Sequence, residues 1–192
     1  MDGDDKKPKG AGKSSFELIN AELLKEALAI KKGSSVLDLA CGMGIYATFL
    51  SELVGDEGLV YATDLWSEGL KLLEKEIGKR GIKNILTLLD DATKRIDIDD
   101  YSVDLCLMAT VLHDFEEMDR AGDVLKQVRT VLKPGGCLAV IEFKKIDGPP
   151  GPPKKIRLSE NEVEKMVLEY GFKKRKTLDI GDYNYLSIFS TE

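Results

Sequence analysis

The chain has 192 residues, 43% of them apolar, and a formal net charge of -6. That length fits one domain with a sizeable core and leaves little room for a second. The acidic balance argues against a nucleic-acid binder, whose affinity rests on clustered Lys and Arg, and no stretch approaches the roughly 18–20 apolar residues of a membrane span.

Residues 1–13 mix Asp, Lys, Gly and Pro without periodicity and read as a disordered tail ahead of a single domain over 14–192. This polar start is no signal peptide, so a cytoplasmic protein is expected. Gly12-Lys13-Ser14 looks like the end of a phosphate loop, but position 7 is Lys where that motif needs glycine, and no strand precedes it. Ser14 stands three residues before Glu17, as in a capping box. Phe16, Ile19, Leu23, Ala27 and Ile30 then mark one helical face that stops near Gly33.

From Ser35 onward apolar runs alternate with amphipathic segments. Strands are predicted over 35–39, 59–63, 84–89, 103–109 and 136–143. The helices between them show Tyr46, Phe49, Leu50 and Leu53, then Leu70, Leu73 and Ile77, then Val124, Leu125, Val128, Val131 and Leu132 at helical spacing. This alternation implies an α/β fold, a doubly wound parallel sheet covered on both faces, with ligands at the carboxyl ends of its strands. A proline-rich stretch at 148–153 precedes a helix from Ser159 to Tyr170 capped by Ser159 and Glu162. Residues 172–180 and 184–190 read as a β-hairpin closing one edge. Cys41, Cys106 and Cys137 form no CxxC pair, which argues against a disulfide framework or a metal site, and Cys106 and Cys137 read as small core residues.

The most informative run is Val36-Leu37-Asp38-Leu39-Ala40-Cys41-Gly42-Met43-Gly44. An apolar strand ends in a two-glycine turn that opens a helix, and such a turn aims backbone N–H groups at a ligand. Asp64 lies at the end of the second strand, 20 residues beyond Gly44, where a carboxylate can accept both hydroxyls of a ribose. On spacing alone Gly42-x-Gly44-x-x-Ala47 also satisfies the dinucleotide fingerprint, so a nicotinamide oxidoreductase is an alternative. Asp38 points elsewhere, because a carboxylate beside the turn repels a pyrophosphate and welcomes an ammonium group. Asp91-Ala92 adds a position where an adenine edge can be read.

Together these segments resemble the class I S-adenosylmethionine-dependent methyltransferases. The run at 36–44 resembles their first motif, Ala62-Thr63-Asp64 the acidic end of the second strand, and Asp91-Ala92 the adenine side. Val103-Asp104-Leu105 through Leu112-His113 is similar to the fourth-strand segment, and Val131-Leu132-Lys133-Pro134-Gly135-Gly136 to the turn before the fifth strand. The segment Glu142-Phe143-Lys144-Lys145, with Gly151-Pro152-Pro153 and the helix ending in Tyr170-Gly171-Phe172, looks like the small-molecule, quinone-biosynthesis-type group. The resemblance implies a Rossmann-like seven-stranded sheet, mostly parallel, with an antiparallel C-terminal hairpin strand. It implies S-adenosylmethionine as cofactor and a small-molecule methyl acceptor. Asp38 and the Gly42 to Gly44 backbone would take the methionine part, Asp64 the ribose, and Asp91 with Ala92 the adenine. Ala40, Cys41, Leu65 and Ala109 complete the implied cofactor-binding set.

Methyl transfer is an in-line displacement that calls for a base only when the acceptor must lose a proton. His113, the only histidine, is the candidate for that task. A protein that binds S-adenosylmethionine without catalysis is a further alternative.

Overall fold

In the inner strands alternate residues face opposite ways and both sets are buried, which is what helices on both faces of a sheet require. The computed structural model describes residues 12–192, so the expected tail lies outside the described residues except for Gly12 and Lys13. Seven strands, β1 (Ser35–Leu39), β2 (Leu59–Asp64), β3 (Ile85–Leu89), β4 (Val103–Ala109), β5 (Leu132–Phe143), β6 (Lys173–Asp179) and β7 (Asn184–Ser190), form one sheet. Its order is β3-β2-β1-β4-β5-β7-β6. The first five strands pair in parallel, and β7 runs antiparallel between β5 and β6. The predicted hairpin is therefore present, with the lysine-rich β6 as the exposed edge, where charges deter further strand pairing.

Two cores flank the sheet. Leu37, Cys106, Leu138 and Phe189 lie in one register row, and their face packs against α4 (Leu112–Glu117), α5 (Ala121–Val131) and α6 (Glu160–Leu168). The next row, Ala62, Asp38, Leu107, Ala139 and Ile188, faces the other way, towards α1 (Ala21–Leu28), α2 (Ile45–Val54) and α3 (Ser67–Arg80). One member of that apolar row is a carboxylate. Among the described residues no helix is long and apolar enough to cross a membrane.

The first helix departs from the sequence pattern. A single 3-10 turn covers Phe16–Leu18, Ile19 is extended, and α1 begins only after Asn20, whose Oδ1 accepts from the Glu22 and Leu23 amides. The Asn20 amide donates to Ile180 O at 2.6 Å, so a distant strand end sets the break that local periodicity could not show. The buried face falls on Leu24, Ala27 and Leu28, while Leu23 is exposed. β5 starts at Leu132 rather than 136, because Leu132 pairs with Val103 ahead of a register shift in β4. Cys106 is fully buried as expected, whereas Cys137 is half-buried. The box between Ser159 and Glu162 forms at the start of α6.

Asn84 holds the far end of α2. Its Nδ2 donates to the carbonyls of Ser51 and Gly55, its Oδ1 accepts from Ser51 Oγ at 2.6 Å, and its own carbonyl accepts from the Val60 amide. Replacing Asn84 with Ala orphans the Ser51 hydroxyl and leaves the Ser51 and Gly55 carbonyls with only the Gly55 and Gly58 amides, so chemical denaturation should show a loss of about 1–3 kcal/mol. The slope with denaturant should stay constant, since the surface exposed on unfolding hardly changes.

Candidate active site

The carboxyl ends of β1, β2, β3, β4 and β5 border one cleft of about 950 Å³. All the candidate cofactor and catalytic residues line it except Gly44. Gly44, at φ 73, starts α2 behind the turn, and a Cβ there would strike the Leu73 side chain at 2.4 Å. Its glycine serves close packing of the turn on α3. Gly42, at φ 58, has nothing within 4 Å of its Cβ direction, so the backbone there leaves open space. Ala40 (φ 58) and Thr110 (φ 55) hold left-handed conformations at the ends of β1 and β4, a strain that clusters at functional sites.

Asp64 ties the floor together. Its Oδ2 accepts from the Gly42 amide and its Oδ1 from the Trp66 amide, both at 2.7 Å. One carboxylate thus joins the end of β2, the glycine turn and the start of α3, and its remaining lone pairs can still take a ligand's hydroxyls. Behind the turn, Trp66 is buried outside the cleft lining, and a Cβ on Gly69 would meet Gly42 O at 2.7 Å. Gly69 is a close-approach position that nothing in the local sequence announced.

Asp38 is 1% exposed, and its Oδ2 has no hydrogen-bond partner. Burial pushes its carboxyl up to about 7, opposed by the Ala47 amide and reinforced by the nearby charge of Asp64. Thr63 Oγ1, also in the lining, is a second buried polar atom without a partner. Asp91 is more committed. Its Oδ1 accepts from the Thr93 amide and hydroxyl and its Oδ2 pairs with Lys94 at 3.0 Å. Although partial burial works against ionisation, these bonds hold its carboxyl below the usual range. Asp90 also lines the cleft and receives the Asp97 amide. The Cys41 thiol is pushed up by burial and by Asp38 and Asp64, so it is a poor nucleophile.

On the opposite wall His113, 5% exposed, places Nδ1 2.8 Å from Oε2 of Glu142. Glu142 is fully buried and also accepts from the His113 and Phe143 amides. Beyond it the proline-rich stretch folds over the cleft around Arg157. This buried guanidinium donates to the carbonyls of Lys144, Gly148, Pro150 and Pro152 and stands 5.6 Å from the Phe143 ring centre. Among the described residues no carboxylate pairs with it. The third border is the N-terminal segment, where Ser15 Oγ lies 2.9 Å from Tyr46 Oη and 3.4 Å from Thr110 Oγ1. Phe16 packs edge-on against Tyr46. Gly12 and Lys13, expected in a tail, line the cleft here.

A 3-2-1-4-5-7-6 sheet with its seventh strand antiparallel and a ligand cleft over a glycine turn is the Rossmann-like methyltransferase architecture. The chain belongs to the ubiE/COQ5 methyltransferase family, whose model matches residues 17–151. It is 34% identical over 118 residues to the ubiquinone/menaquinone biosynthesis C-methyltransferase UbiE of Shewanella frigidimarina, a match covering 62% of this chain and 46% of that protein. The same enzyme from Pseudoalteromonas translucida matches at 34% over 116 residues, 60% of this chain and 45% of that one. The chain therefore spans about half the length of the curated relatives it matches. The crystal structure of a SAM dependent methyltransferase from Aquifex aeolicus aligns with 96% of each chain at a TM-score of 0.86 and 30% identity.

Two outcomes follow from the two carboxylates. Asp64→Ala should orphan the Gly42 and Trp66 amides and lower stability by about 1–3 kcal/mol, whereas Asp64→Asn, which keeps one acceptor oxygen, should lose less. Paired denaturation curves check the ranking. Asp38 has a raised folded value against an unfolded one near 3.8. Its contribution to stability is complete below pH 4 and lost by about pH 7, because the unfolded chain releases the proton first. Asp38→Asn should remove that fall, leaving the variant more stable than the parent above pH 7 by up to about 4 kcal/mol. Melting curves across pH 4–8 give the comparison.

Proposed function

We propose that the protein is an S-adenosylmethionine-dependent methyltransferase acting on a small-molecule acceptor, with a quinol precursor as the acceptor class to try first. Asp38 carries this reading. It is a buried carboxylate with one oxygen unsatisfied, next to a turn whose Gly42 leaves room for a ligand. Such an oxygen is costly until a cationic donor meets it. An amino-acid ammonium supplies that donor, and a pyrophosphate does the opposite.

In this reading Asp38 and the Gly42 backbone hold the methionine part, and the free lone pairs of Asp64 take the ribose hydroxyls. Asp91 shapes the turn that presents Ala92 to the adenine. When bound, the cofactor supplies an activated methyl group on a sulfonium, so the protein's task is alignment and exclusion of water. The acceptor side is walled by Leu18, Val111, Phe115, Met118, Phe143 and Ile156, a surface suited to a flat apolar molecule. The similarity to ubiquinone/menaquinone biosynthesis C-methyltransferases supports a quinone precursor as that molecule. A cytoplasmic location belongs to the same reading.

Calorimetric titration should show binding of S-adenosylmethionine and S-adenosylhomocysteine and none of NAD. Asp38→Asn should weaken the first by about 10–100-fold, the loss of one charge-assisted hydrogen bond. Mass-detected turnover on reduced 1,4-naphthoquinol, phenols, thiols and amines completes the test. Binding of NAD alone would make the site a dinucleotide site, and cofactor binding without any methylated product would make the protein a non-catalytic binder.

A further inference from the structure

The wall opposite the glycine turn carries a buried acid–imidazole pair that cofactor binding does not use. Glu142 sits at the end of β5, on the face of Leu138 and Val140 that packs against α4 and α5. Three donors converge on its carboxylate: the His113 amide at 3.1 Å, the Phe143 amide at 3.3 Å, and the His113 ring at 2.8 Å. Both oxygens already accept from backbone amides, so the ring bond has one polarity. Nδ1 carries the proton and donates it to Glu142. Nε2 is then the ring's remaining polar atom, in a side chain that lines the cleft. Asp114 Oδ2 stands 3.7 Å from Nε2, beyond hydrogen-bond distance.

We propose that Glu142 is a positioning residue that fixes the His113 proton on Nδ1, so that Nε2 takes a proton from the acceptor's hydroxyl. This rests on the methyl-transfer reading above. The O–H bond of the acceptor breaks, its electron pair stays on oxygen, and the proton binds Nε2. The imidazole becomes an imidazolium whose charge Glu142 balances, and the oxygen becomes an anion with the electron density needed for attack. Solvent later removes the proton. An acceptor that must give up such a proton is a hydroxyl compound rather than a thioether or a tertiary amine.

The surroundings of the ring favour this assignment. Burial alone would lower the basicity of His113, but the hydrogen bond and charge of Glu142, with Asp114 and Glu117 on its own helix, outweigh it and raise its value above the ordinary one. The 3-10 turn at Lys154–Ile156 also packs on α4, but its Lys154 is exposed and paired with Asp147 and its Lys155 is exposed. Arg120, at the start of α5, is engaged by Asp123 and by Thr93 O. Among the described residues, Glu142, Asp114 and Glu117 are the carboxylates that raise the basicity of the ring.

Because the chain has one histidine, nitrogen-15 labelling of that residue type gives a spectrum of His113 alone. In the wild-type protein Nδ1 should show the protonated signature throughout and Nε2 the titrating one. Glu142→Gln should lower the midpoint by about one pH unit or more. With reduced 1,4-naphthoquinol as acceptor, the same substitution should lower kcat by about 100–1000-fold. It should shift the rising limb of the pH–rate profile to lower pH with the midpoint, while calorimetric affinity for S-adenosylmethionine stays within about threefold. The proposal is overturned if the wild-type proton resides on Nε2, a result independent of whether the variant folds. It is equally overturned if Glu142→Gln leaves both midpoint and limb in place. If the wild type binds the cofactor but methylates no hydroxyl acceptor, the base role of Nε2 fails with the methyl-transfer reading. The nitrogen signals then still report on Glu142 by themselves.

Discussion

Two hydrogen bonds accepted by Asp64 make the cleft floor one object. Without them the Cys41 amide on Thr63 O would still tie the glycine turn to the end of β2, but the Gly42 and Trp66 amides would lose their shared acceptor. With them, the position of the Gly42 amide is set by a strand in the middle of the sheet. The close approach of Gly69 to Gly42 O depends on the same register, and so does the seat of Gly44 against Leu73. Rigidity at this point matters because a turn that presents backbone groups to a ligand works only if ordering them costs nothing at binding.

The sheet was legible because its inner strands, buried on both faces, are nearly continuous apolar runs, and because a parallel sheet forces helices between them. The residues at the strand ends followed from the same logic, which is why Asp38, Asp64 and Asp91 come together at one edge. Legibility failed where a distant partner decides. Asn20 breaks the first helix because Ile180 accepts its amide, and Leu132 joins β5 because Val103 is beside it. Glu142 belongs to the segment that resembles the quinone-biosynthesis-type group, yet its burial against a histidine 29 residues away has no local signature. Arg157 and Gly69 are similar cases, since neither the burial of a guanidinium nor the close approach at a helical glycine has a local signature.

The site divides its electrostatics between the two faces of the sheet. Asp38 points towards α2 among Ala62, Leu107 and Ala139, where the Ala47 amide alone opposes its desolvation. Glu142 points towards α4, where three donors meet it. One carboxylate is left in want of a partner and the other is saturated, and β4 separates the two strands that carry them. The first arrangement costs stability and suits a ligand; the second fixes a side chain that must not rotate.

Arg157 holds the proline-rich wall by its main chain alone. Its four hydrogen bonds end on carbonyl oxygens, which every amino acid supplies, so the clamp is indifferent to the side chains of the loop it shapes. Apart from Gly148 and Gly151, whose positive φ calls for glycine, a wall built this way can change its side chains without losing its course. Changes of acceptor-facing side chains there need not disturb the sheet, the glycine turn or the cofactor carboxylates, because the main-chain course is held by one guanidinium.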